Sequence, residues 1–181
     1  MKKFALISFA VAGVIVAACS VSSAGKAETD KPVKPLRVGV YDSRCVAVAC
    51  MPTAWYNEPV KEKMKEMEKA KAAGDEKKIK ELEAWGESRQ QKAHLQGFGT
   101  APVTELLEPV KGRLAEVARQ AGVDIIVSTW QIDYQASDAE LVDVTDAIVA
   151  LYEPSEKTLK TVEALKKHKP MSEEEILKIK D

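Results

Sequence analysis

The chain has 181 residues, with 27 Lys and Arg against 28 Asp and Glu and a formal net charge of −1. Without a clustered basic excess it does not read as a nucleic-acid binder, because phosphate contact needs concentrated positive charge. At 30% charged and 45% hydrophobic residues, it has the composition of a folded domain rather than of a disordered or membrane-embedded chain.

Lys2 and Lys3 precede an uncharged run over 4–18 that ends in Val16-Ala17-Ala18-Cys19-Ser20. The run is short for a membrane span and is flanked by small residues, so 1–18 reads as a secretory signal. Small residues before a Cys at the end of an apolar core are similar to a bacterial lipoprotein signal, which implies cleavage before Cys19 and its acylation. The other reading is ordinary cleavage further on, near Ala24 or Ala27. Either way the expected location is the periplasm, with an outer-membrane lipid anchor at Cys19 under the first reading. Removing Lys2 and Lys3 with the signal leaves 25 basic against 28 acidic residues, a net −3. Residues 19–35 are small, polar and Pro-containing, and read as a flexible tether. The ordered part, from 36 onward, has the size of one domain.

Residues 36–41 (LRVGVY) and 123–128 (VDIIVS) read as short buried strands. Between them, Cys45 and Cys50 are five residues apart. In an oxidising compartment an even pair points to a disulfide. On a regular element this spacing sets them too far apart or on diverging faces, so a bridge between Cys45 and Cys50 requires a loop. Two buried reduced thiols and a metal site are the other readings. Asp42-Ser43-Arg44 reads as a turn out of the strand.

From Pro59, the apolar residues Val60, Met64 and Met67 recur at helical spacing among Lys and Glu, and Pro59 fits a first helical turn. Gly74-Asp75 can end one helix and cap the next. Ile79, Leu82 and Trp85 continue the seam, and 97–102 breaks it. Val103, Leu106, Val110, Leu114 and Val117 form a further stripe, with Pro109 bending or restarting the helix; Val110, Leu114 and Val117 are expected in the core of the body. Such a seam suits contact with another chain better than small-molecule chemistry. The fold class expected is α+β: a small sheet, a coiled-coil-like antiparallel hairpin over 57–121 projecting from it, and C-terminal helices. Ser155 and Ser172 are good caps for two short helices in 153–181.

After the second strand come Tyr134-Gln135-Ala136-Ser137-Asp138 and then Val144-Thr145-Asp146-Ala147-Ile148, with Thr145 placed to cap a helix. The segment 38–43 (VGVYDS), the charged stretch 64–75 (MKEMEKAKAAGD) and the return 123–148 together resemble the Skp/OmpH family of periplasmic chaperones for outer-membrane proteins. The resemblance covers about 36–152. It implies a homotrimer whose sheets form a body, and whose hairpins surround a cavity that holds unfolded outer-membrane or exported proteins without ATP. Met64, Met67, Ile79, Leu82 and Trp85 are then the client-contact candidates, and Val38, Val40, Ile125 and Val127 the oligomer-interface candidates. The alternative is a non-chaperone envelope lipoprotein using its coiled coil as a scaffold or adaptor. The chain is read as a non-enzyme with no cofactor: its two histidines, His94 and His168, lie far apart, and no Ser/His/Asp or metal-ligand set is evident.

Overall fold

The computed structural model describes residues 36–179, so the signal, Cys19 and the tether lie outside the described residues. The described part is a mixed helix and sheet structure, α+β in the broad sense. Three short strands, β1 (Val38–Tyr41), β2 (Ile125–Ser128) and β3 (Leu141–Asp143), form one sheet in the order β2-β1-β3. Both pairings are parallel, with Val40 opposite Val127 on one side and Asp143 on the other. The two strands read from sequence are therefore neighbours. β3 is an addition to that reading, its three residues lying between the turn at 134–138 and the helix start at 145.

Helix α1 (Ser43–Cys50) follows β1 directly. It corrects the reading of Asp42-Ser43-Arg44 as a plain turn: the Asp42 side chain accepts from Arg44 N and caps the helix. Nearly every residue of α1 is buried. From Cys45 on, α1 is apolar on every side, as suits a helix inside the protein, and it packs on two clusters at once. Val46, Ala47 and Cys50 join Tyr41, Val103, Leu106, Val117, Val144 and Ile148 beneath the sheet. Cys45 and Ala49 join Val149 and Val162 on the other side. Cys45 and Cys50 thus face different clusters and are free, buried thiols; the disulfide is not formed.

Helix α2 (Ala54–Ala73) begins earlier than expected, with Thr53 as its cap, so Pro59 lies inside the helix rather than in its first turn. Gly74 ends α2 at φ +65°, a left-handed geometry that glycine adopts without steric cost. Asp75 then accepts from Lys78 N to start α3 (Glu76–Gly97). The two helices touch through the Lys78–Glu66 ion pair at 3.7 Å and through Arg89, which donates to Tyr56 O at 2.5 Å.

The stripe 103–117 does not extend this pair. Thr104–Arg113 is a 3-10 segment, and α4 is only Leu114–Ala121. Pro109 removes a donor and disfavours the α geometry of the residue before it. Val103, Leu106 and Val117 lie in the main core beneath the sheet. The segment belongs to the body, and the boundary 57–121 for the paired helices contracts to 54–97. Leu114, read as core, is only partly buried. Gly122, at φ +65°, ends α4.

Beyond β3 come α5 (Thr145–Ala150), α6 (Glu156–Leu165) and α7 (Glu173–Ile176). Thr145 is not a cap: it is the first residue of α5, and its Oγ1 accepts from Asp42 N at 3.0 Å. Ser155 caps α6, and Ser172 forms a capping box with Glu175. Ile148, with no exposed surface, is the largest fully buried side chain among the described residues. Ile148→Ala is expected to cost about 2–5 kcal/mol, read as a lowered urea midpoint at unchanged slope.

Candidate functional site

The seam of α2 and α3 divides by burial. Leu82 is 5% exposed, whereas Met64 is 60% exposed. Met67, Ile79 and Trp85 are half-buried. By contrast Val110 and Val117 are each 4% exposed in the body. Two helices offer too little covering surface to sequester the whole seam, so part of it stays in contact with solvent.

At the base of the pair is a cavity of about 260 Å³, lined by Trp55, Tyr56, Pro59, Arg89, Gln96 and Leu106, among others. The Arg89 guanidinium lies 4.1 Å from the Tyr56 ring centre and 5.6 Å from that of Trp85. Stacked cations of this kind hold aromatic rings in place while leaving an edge open. Trp55 is 47% exposed at the rim. Gln96, almost fully buried, closes the floor by donating to Pro102 O at 2.8 Å and Glu105 Oε1 at 2.7 Å. Burial acts to raise the Glu105 carboxyl, but hydrogen bonds from Lys92 and Gln96 outweigh it and hold that carboxyl below its ordinary range. The pocket therefore combines an apolar and aromatic wall with a fixed polar floor.

Trp55 and Tyr56 were not among the residues picked from sequence, because a helix starting at Pro59 leaves them in a loop. Thr53, a good N-cap directly before Ala54-Trp55-Tyr56, is the signal that places them on α2.

The sheet presents a second apolar surface. Tyr41, Ile126 and Val142 point into the core, so the alternate residues Val38, Val40, Ile125, Val127 and Leu141 share the opposite face. Val40 is buried, Val38 and Val127 are half-buried, and Ile125 is 42% exposed. A shallow cavity of about 450 Å³ runs over Val38, Ile125, Val127, Tyr134 and Leu141. The four residues read as oligomer-interface candidates thus fall on one face. The five read as client contacts fall on one helix pair.

The cysteines do not add a reactive group. Burial pushes the Cys45 thiol up to about 12 and the Cys50 thiol up to about 11, so both stay protonated near neutrality and serve as packing. Among the described residues no group of three or more His, Cys, Asp or Glu side chains could hold a metal ion, and no helix is long and apolar enough to cross a membrane. No protein-family model, curated protein or solved structure matches this chain.

Proposed function

We propose that the protein is an exported, ATP-independent holdase of the Skp/OmpH type, in which α2 and α3 form a projecting antiparallel hairpin that contacts unfolded outer-membrane or exported proteins. The observation that carries the reading is the partly exposed apolar seam on this pair, with Met64 60% exposed against 4% for Val110 in the body. Contacts 66 with 78 and 56 with 89 have nearly constant residue sums, as an antiparallel pair requires. Flexible Met side chains beside mixed charge can touch varied unfolded segments without holding any one tightly. Release then needs no nucleotide. The reading is non-catalytic, and its periplasmic location rests on the export signal and Cys19.

The half-open sheet face is the proposed contact between subunits. Parallel sheets are normally covered on both faces, and here Ile125 is 42% exposed. A homotrimer that packs these faces together would cover it. Ile125→Asp is expected to convert the assembly into monomers in sedimentation equilibrium at micromolar concentration, with secondary structure retained. A wild-type chain that is already monomeric and heat-stable would contradict the trimer.

The function itself is tested by diluting an urea-unfolded outer-membrane β-barrel protein into buffer with stoichiometric protein and no ATP. Suppressed light scattering is expected. Unchanged scattering, with the oligomer intact, would favour the scaffold or adaptor role.

A further inference from the structure

The three parallel strands end side by side. β1 leads into Asp42, β2 into Thr129 and Trp130, and β3 into Val144 and Thr145. β1 is central, and the chain reaches β2 on one flank before crossing to β3 on the other. In parallel sheets such a reversal separates the loops and opens a crevice at the carboxyl ends of the strands, where ligands bind. Here it is the largest of the cavities described, about 840 Å³, with Val40, Asp42, Arg44 and Thr145 among its lining residues.

One wall is a fixed aromatic. Trp130 donates through Nε1 to Asp42 Oδ1 at 3.2 Å, and the Arg44 guanidinium lies 5.3 Å from its ring centre. The indole is nevertheless 36% exposed, and Met171, 38% exposed, also lines the crevice. Most of the charge here is already paired. Asp42 is neutralised by Arg44 at 2.6 Å, and Lys166 pairs with Asp146 and Glu163. Lys167 and Lys169 also line the crevice, are exposed, and have no ion pair among the described residues. Besides the paired Asp42, the crevice is lined by one further carboxylate, Asp143, whose Oδ1 accepts from Thr145 N at 2.8 Å.

We infer that this crevice binds a small organic anion, a carboxylate or phosphate carried on a flat apolar body. The anionic group sits against Lys167 and Lys169, and the apolar body lies along Trp130 and Met171. Asp143 accepts a hydrogen bond from a hydroxyl or amine of the ligand. The crevice shares no residue with the α2–α3 seam, and it meets the proposed subunit contact only at Val40, so loss of client binding and loss of anion binding are separately readable.

The test is calorimetric titration of the full chain with phenyl phosphate, phenylacetate and benzyl alcohol, alongside the variant K167Q/K169Q. Both lysines are exposed, so the variant is expected to melt as wild type does. Saturable binding of at least one anion is expected, with benzyl alcohol weaker by about tenfold or more and the variant weakened for the anion by a similar factor. Benzyl alcohol binding as tightly as the anions would overturn the inference. So would anion binding unchanged by K167Q/K169Q, or no saturable binding of either anion in the millimolar range.

Discussion

Replacing Arg44 with Ala is expected to lower the unfolding free energy by about 3–5 kcal/mol, the range for removing one partner of a buried ion pair. Arg44 is 2% exposed. Its guanidinium donates to both oxygens of Asp42, at 3.0 Å and 2.6 Å for the shorter contacts. It also donates to His168 O at 3.0 Å and to Leu165 O at 3.2 Å. The two carbonyls lie at and just beyond the end of α6, where backbone acceptors lack helical partners and the dipole favours a cation. Removing Arg44 therefore takes the paired cation from a largely buried carboxylate at the start of α1, leaving it the backbone N–H of residue 44 and Trp130 Nε1, and uncaps α6 at the same time. Hydrogen exchange should rise across 165–176 at the same time, since the segment that crosses Arg44 leads to α7. A loss below about 1 kcal/mol, with exchange unchanged there, would show the cluster to be dispensable.

The second large effect concerns clients. Met67→Ser together with Trp85→Ser is expected to raise by about tenfold the amount of protein needed to keep an unfolded client in solution, equivalent to roughly 1.4 kcal/mol of contact. Both side chains are half-buried, so the fold should tolerate the change. Leu82→Ala is the contrasting variant. Leu82 is 5% exposed, and its truncation should cost about 2–5 kcal/mol of stability. If the Met67/Trp85 variant instead unfolds with no separable effect on clients, the seam is only core and the adaptor role moves ahead.

The strand pair was legible because β-branched residues are concentrated at 38–40 and 125–127 between clear turn signals. The break at Gly74-Asp75 was equally legible, as one residue suits a left-handed cap and the next an N-cap. Helix α1 escaped because burial on every side erases the polar–apolar contrast on which periodicity depends: Cys45, Val46, Ala47 and Ala49 give no face to find. Its position also decides the cysteines, which a helix turns toward separate clusters. The stripe 103–117 was correctly apolar, and Val110 and Val117 were rightly read as core, but the hairpin boundary of 57–121 wrongly enclosed it. Spacing shows that a face is buried and says nothing of what covers it, and Val103, Leu106 and Val117 are covered by the sheet and α1. The apolar seam of α2–α3 was visible in outline. The pocket at its base was not, since Tyr56 meets Arg89 only across the helix pair.

Site-specific photo-crosslinking tests the central claim most directly. A benzophenone amino acid is placed at Met64, which is 60% exposed on α2, and separately at Leu159, 43% exposed on α6. Each protein is mixed with the same urea-diluted outer-membrane β-barrel protein. The account predicts strong crosslinking to the unfolded client from position 64, little from position 159, and loss of the signal once the client has folded. Equal crosslinking from both positions, or none from position 64, would contradict it.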